Sequence, residues 1–328
     1  MKNIMLLLCL VFSVFVVQAA LPDSVRGTLL VVSKADNSVS FVDIASGKII
    51  TTLPTGQGPH ELVVSEDGNW AVVSDFVGGN SLTVIDVASR KVARTINLKN
   101  YPRPHGIQFL KNQNLVAATT GARNMLVVAD ISTGKVVNSV DTTQRGTHMV
   151  TIDQGRNLAY TSNMRSNSIS VIDLEAGTFL RTIDTAQTPE AIKLTPSADE
   201  IWYGANKRGL VKVVGLESGM ELAEFSGFTF PYRVLFSRDQ RIAVVPDFRK
   251  DYVRFFDAKN KTELGTLPLG KGAGPQGVIF HPDDKILFLS LNRQSKVVAI
   301  DVNTRTVLAE LESGQNPDGI GYTPLEFK

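Results

Sequence analysis

The chain contains one cysteine, Cys9, and has almost no excess of either charge: 34 Lys and Arg stand against 32 Asp and Glu in 328 residues. A near-neutral chain has no global field to gather nucleic acid or an anionic membrane surface, and no nucleic-acid motif is present. A single thiol excludes a disulfide framework, a cysteine-ligated zinc site and covalently attached haem. Aromatic residues are few, at 7%, while 26 glycines and 14 prolines interrupt the chain too often for a helical bundle. There is no Walker loop, dinucleotide fingerprint, H-E-x-x-H pair or nucleophile elbow. The pair Gly78-Gly79 reads as a flexible turn and not as a phosphate cradle.

The first residues read as a leader and not as part of the fold. Lys2 opens it, residues 4–17 are an apolar run, and Val17-Gln18-Ala19 supplies small residues before a cleavage point. The run is too short for a membrane span and has the pattern of a secretory signal peptide over residues 1–19. Cleavage there removes Cys9, so the mature chain, residues 20–328, holds no thiol to mispair in an oxidising compartment. The expected location is periplasmic or extracellular, and the expected state is a monomer.

What the sequence does contain is repetition. Short alternating apolar segments end at Asp43, Asp86, Asp130, Asp173, Gly215, Asp257 and Asp301, each followed by a turn, at steps of 42 to 44 residues. A second column, His60, His105, His148, Glu190, Tyr232, Gln276 and Asp318, keeps the same period ahead of a different strand. In the second unit four strands are predicted, at 62–65, 70–74, 82–87 and 92–98, divided by turn residues such as Glu66-Asp67-Gly68-Asn69. Four strands repeated about every 43 residues predict an all-β, seven-bladed β-propeller with four antiparallel strands per blade. Segment 28–33 matches a second strand with no first strand before it, and 318–323 matches a first strand with nothing after it. Pairing them closes the ring of a single domain and removes its open edges.

Tyr160-Thr161-Ser162-Asn163, followed by Ser168-Ile169-Ser170-Val171-Ile172-Asp173, resembles the YVTN-type propeller repeat of exported prokaryotic proteins. Looser copies are Val73-Ser74-Asp75 and Leu289-Ser290-Leu291-Asn292, and the resemblance runs through the whole mature chain. It departs in blade 5, where Gly215 replaces the Asp, which puts that turn in question. The resemblance implies a propeller fold and export. Function does not follow from it, because one fold hosts many functions.

Propeller topology places the second column at the mouth of the central channel, on the face shared with the loops between strands two and three. Three of the chain's four histidines, His60, His105 and His148, occupy consecutive blades in it, with Glu190 next. Imidazoles and a carboxylate on one arc suit a transition metal or acid–base work, and the three histidines are the candidate metal ligands. Inherited loop chemistry is the plain alternative. Basic side chains surround the column: Arg103, Arg145 and Arg233 beside it, and Arg123, Arg165, Lys207, Arg208, Arg249, Lys250 and Arg293 on the loops above. A collar of this kind binds carboxylates or phosphates through charge-assisted hydrogen bonds, although Lys and Arg also populate any solvated loop. Tyr101, Phe228, Phe230 and Tyr232 are candidate walls for a flat ligand. His281, in a bottom turn, reads as structural.

Histidine, arginine and aromatic residues at a propeller mouth also resemble the equipment of the haem-d1-binding propeller domain of dissimilatory nitrite reductase, which has eight blades. That resemblance implies a haem-type cofactor with His60, His105 or His148 as axial ligand. The leading reading is an exported propeller, not itself an enzyme, that binds a small anionic or metal-containing ligand, or a protein partner, at this mouth. The competing readings are a metal-assisted lyase or lactonase acting there, with no catalytic residue singled out, and an interaction scaffold in which the histidine column is incidental.

Overall fold

A computed structural model describes residues 21–327; the signal peptide expected at 1–19 lies outside them. Seven four-stranded antiparallel sheets form a closed ring. Blade 1 is composite: Pro317–Thr323 pairs with Thr28–Ser33, which continues into Ser38–Asp43 and Ile49–Pro54. The expected closure therefore occurs, and 28 strands account for the described chain apart from its turns and one three-residue 3-10 turn at Asn292–Gln294. Among the described residues no helix is long and apolar enough to cross a membrane.

Sheets stacked around a ring bury both faces of their middle strands, so these strands read as continuous apolar runs. Thr28–Ser33 and Ile286–Leu291 are buried at every residue, whereas the outermost Lys91–Asn97 alternates exposed positions with half-buried ones and buries only Ile96. The core is accordingly distributed. Seven apolar clusters occupy the seven contacts between neighbouring blades, such as Val31 and Val42 against Phe288 and Ala299, or Val211 and Trp202 against Ala243 and Phe256.

The turn aspartates show why their column recurs. Asp43, Asp86, Asp130, Asp173, Asp257 and Asp301 each accept backbone N–H bonds from the turn that follows, closing it. Blade 5, where Gly215 stands instead, closes its turn with the Gly219 N–H on the Gly215 carbonyl at 2.9 Å. The departure costs a side-chain contact and not the turn.

The innermost strands begin earlier than the apolar pattern suggests, at Pro59, Pro104, Thr147, Pro189, Pro275 and Pro317. A proline fits there because the first residue of a strand need not donate to the ladder. Two residues then oppose one: between Pro59↔Asp75 and Leu62↔Val73, His60 and Glu61 face only Ser74. The same bulge recurs in every blade but the sixth, whose inner strand shrinks to Leu235–Phe236 and an isolated bridge from Pro231 to Asp247. Bulges re-aim side chains at the rims of sheets. Here they govern two consecutive residues per blade at the channel mouth.

Candidate functional site

Where the second strand carries a hydroxyl opposite the bulge, that hydroxyl pins it; blades 1 and 5 have Val32 and Gly204 there instead. Ser74 Oγ accepts the Glu61 N–H at 3.2 Å, Ser162 Oγ that of Met149 at 3.1 Å, and Ser290 Oγ that of Gly277 at 2.8 Å. In three blades the hydroxyl also donates to the carbonyl of the next blade's column residue: Thr119 to His148, Ser162 to Glu190 at 3.1 Å, and Ser290 to Asp318 at 2.8 Å. The Thr or Ser of the repeat thus fixes both the local bulge and its neighbour.

This scaffold brings the three histidines into contact. His105 stacks on His148 with centroids 3.6 Å apart and meets His60 at 4.3 Å, while the Phe76 ring stands edge-on to His105 at 4.6 Å. His60 and His105 are buried and His148 is half-buried. Neither ring nitrogen of His105 has a hydrogen-bond partner. Burial, with the neighbouring His148 and His60, holds this imidazole well below its ordinary 6.5, so it is neutral at pH 7.

His60 stands in the opposite situation. Its Nδ1 lies 2.9 Å from Asp318 Oδ2 and 3.1 Å from Glu61 Oε1. Burial pulls its pKa down, but the charge and hydrogen bond of Asp318 more than offset this and leave it raised above 6.5. Asp318 also receives Lys34 Nζ at 2.5 Å and the Tyr232 hydroxyl at 3.3 Å. Burial disfavours its charge, yet His60 and Lys34 hold the carboxyl far below the usual range. Glu61 is gripped by the Arg233 guanidinium, which overcomes the burial penalty and lowers its pKa. Arg233 lies over the Tyr232 ring at 4.1 Å. Glu190 lies 3.7 Å from His148 Nε2 and accepts from Asn206 at 2.5 Å. The result is a continuous belt, Lys34–Asp318–His60–Glu61–Arg233, bordered by the imidazoles of His105 and His148.

One His60 nitrogen, one His105 nitrogen and one Glu61 oxygen lie within 4.8 Å of one another. His148 presents its face to His105 and is not in that group, so the closely grouped ligand atoms differ from the three-histidine set expected from sequence. Gln276 is buried, with its Oε1 unpartnered. It lines a cleft of about 470 Å³ with Lys34, Phe248 and three asparagines, Asn37, Asn292 and Asn316.

The basic collar is present but loose. Arg103, Arg123, Arg145, Arg165, Arg208 and Arg249 are exposed and form no ion pair among the described residues. Besides Arg233, four cations of the collar lie over aromatic rings: Arg103 on Phe76 at 4.9 Å, Arg249 on Phe230 at 4.8 Å, Arg293 on Phe248 at 4.3 Å and Lys250 on Tyr252 at 5.9 Å. Arg293 also sits 3.6 Å from Asp251. Of the four aromatics considered from sequence, Phe230 and Tyr232 stack at the mouth, whereas Tyr101 and Phe228 pack within inter-blade clusters. His281 pairs with Asp283 at 3.0 Å in its bottom turn and stands edge-on to Tyr322.

The sequence reading missed Lys34, Phe76, Asn206 and Phe248. Each lies one residue past the end of a blade's second strand, a third column with the period of the other two. Its varied chemistry hid it, since no residue type repeats often enough to draw the eye.

Fold and site together define a seven-bladed propeller with a polar, histidine-lined channel mouth. The family described as lactonase, 7-bladed beta-propeller, matches residues 111–320, and the chain belongs to it. A YNCE-like beta-propeller family matches residues 16–114. A comparison with curated proteins finds no match. Among solved structures, a chain of Kuenenia stuttgartiensis hydrazine synthase is similar at 16% identity and a TM-score of 0.72, over 81% of this chain and 90% of that one. A functionally unknown protein from Desulfotomaculum acetoxidans is similar at 13% identity and a TM-score of 0.77, over 90% and 99%. At such identities the likeness concerns the fold alone.

Proposed function

We propose that this chain is an exported binding propeller whose channel mouth takes a small hydroxylated anion, such as a sugar acid. The observation that carries this reading is the cleft joining Lys34 to Gln276, whose buried Oε1 has no protein partner. A buried amide oxygen left alone forfeits about 1–3 kcal/mol, which a ligand hydroxyl donating to it recovers. Lys34, already paired with Asp318, keeps further N–H donors for a ligand carboxylate, the three asparagines supply more donors and acceptors, and Phe248, backed by Arg293, offers an apolar wall. The cleft's size suits a small molecule. Calorimetric titration with gluconate and citrate tests the reading. Binding of either anion that Gln276→Ala and Lys34→Met both weaken supports it; equal heats in all three proteins, or none in the wild type, overturns it.

A second reading, lactone opening at the same mouth, is favoured by the family match and by the His60–Asp318 pair. Asp318 on Nδ1 leaves Nε2 of His60 without a hydrogen bond, the arrangement a general base uses on water. Under this reading gluconolactone hydrolysis, followed by pH-stat, falls by orders of magnitude in His60→Ala. Hydrolysis at the uncatalysed rate in the wild-type protein dismisses it for that lactone.

A further inference from the structure

We infer that His60, Glu61 and His105 form a site for one divalent first-row transition metal at the floor of the channel mouth. The inference goes beyond the anion-binding reading and does not rest on it, since the three ligands lie outside the cleft that Lys34 and Gln276 line.

Three independent observations converge. First, the donor atoms are nearly gathered: one from each side chain, all within 4.8 Å, so a small side-chain movement brings them within the roughly 4.2 Å that one ion with bonds of about 2.1 Å spans. Second, each side chain keeps a donor that no protein group uses. His105 has both nitrogens free although it is 1% exposed. His60 uses only Nδ1, toward Asp318 and Glu61, and Glu61 meets both His60 and Arg233 through Oε1, leaving Oε2. A buried imidazole without any partner is rare, because buried polar atoms are normally satisfied.

Third, the supporting shell has the form that metal sites use. Ligating histidines usually hand their second nitrogen to a carboxylate, which fixes the ring, and Asp318 does this for His60 at 2.9 Å. His148 and Phe76 fix the plane of His105 from its face and its edge. Two imidazoles with one carboxylate suit zinc, iron, cobalt, nickel or copper better than calcium or magnesium, which prefer all-oxygen shells. Three protein ligands leave coordination positions for water or a ligand. Lys34 and Arg233 stand close by, but each is paired with a carboxylate, so once His60 gives up its proton, as a ligand must, the belt carries no net positive charge.

The test uses the full mature chain, stripped with a chelator and titrated with Co(II) and then Zn(II) in buffer free of carboxylates. One equivalent of Co(II) should bind with visible d–d absorption and be displaced by Zn(II). His105→Ala and Glu61→Gln should abolish this uptake, while His148→Ala and His281→Ala should keep the stoichiometry. Asp318→Asn should weaken affinity about 10–100-fold through the supporting shell. Where a variant fails to fold, imidazole ¹⁵N NMR of the wild-type protein with Zn(II) decides, because two ring signals must move together. Absence of stoichiometric uptake, or uptake unchanged in folded His105→Ala and Glu61→Gln, overturns the site. Either result leaves the anion titration readable by itself.

Discussion

His60 Nδ1 and Asp318 Oδ2 meet at 2.9 Å across the seam where the last strand closes the ring onto the first blades. Asp318 is fully buried and also binds Lys34, so its removal leaves two cations without their counter-charge. Breaking a buried pair costs about 3–5 kcal/mol, and Asp318→Asn should destabilise metal-free protein by that order. The pH dependence has a definite sign. His60, raised above 6.5, contributes stability that is complete below that value and is lost as pH rises through its folded pKa. Asp318, lowered from 3.8, contributes above that value and fails only in strong acid. His105, held well below 6.5, works in the opposite sense in both proteins, so the test is the difference: between pH 5.5 and 8.5 the urea midpoint of the wild type should drop relative to that of Asp318→Asn. Parallel slopes in the two proteins would show that the pair does not carry the effect.

Asp75 offers an internal comparison. It ends the second strand of blade 2, where blade 4 has Asn163, and its Oδ2 accepts from Ser81 at 2.6 Å and Thr83 at 3.0 Å while Oδ1 is left alone. Asn163 makes three side-chain bonds in the matching place, donating to Ser168 and Ser170 and accepting from Thr147. Burial raises the Asp75 pKa to about 6 despite those two hydroxyls. The folded state thus prefers the protonated acid, and stability falls as pH rises from about 4 to about 6, at a cost of about 3 kcal/mol. Asp75→Asn should recover about 1–2 kcal/mol at pH 8 and flatten that slope, because the amide stays neutral. A lower unfolding midpoint at pH 8 would count against this account.

The ring, its seven blades and its closure are legible in sequence because turn aspartates and apolar strands repeat at one period and each copy performs the same local task. The column from His60 to Asp318 is legible for the same reason. The contact between its histidines is not. Whether side chains on neighbouring blades diverge or meet depends on the bulge after each strand-opening residue, and a bulge changes register without changing composition. Glu61 reaches the site through that offset, and Arg233 from the irregular inner segment of blade 6. Lys34, Phe76 and Asn206 do so from a column whose members share position and not chemistry. The arginine collar is legible as residues and not as a site, since only packing shows that Arg293 lies on Phe248 while Arg123 and Arg208 stand in solvent.

Ser290 tests the hydroxyl pins. Its Oγ accepts the Gly277 N–H and donates to the Asp318 carbonyl, both at 2.8 Å and both buried. Ser290→Ala removes little volume but leaves two backbone groups without a partner, at about 1–3 kcal/mol. The loss should appear as a lower denaturation midpoint with unchanged denaturant dependence, together with faster hydrogen exchange at Gly277. An unchanged exchange rate at that amide would mean that the bulge holds itself.

Gly277 separates position from chemistry at the site. A Cβ built there would stand 1.9 Å from the Asp318 carbonyl oxygen and 3.1 Å from Ser290 Oγ, so the neighbouring strand must yield. The equivalent Gly319 is also crowded, with a Cβ 2.7 Å from the His60 carbonyl oxygen. These positions let adjacent inner strands approach closely enough for Asp318 to reach His60. Overpacking of this kind costs about 1–3 kcal/mol. Gly277→Ala should therefore destabilise the ring by that order. It should also lengthen the Asp318–His60 contact and lower the His60 pKa toward its ordinary value, although no charged group has been touched. The histidine ring proton, titrated by NMR in the variant, reports this directly. A His60 that titrates as in the wild type while stability drops would show that the strand yields elsewhere and that the site is held by its ion pairs alone.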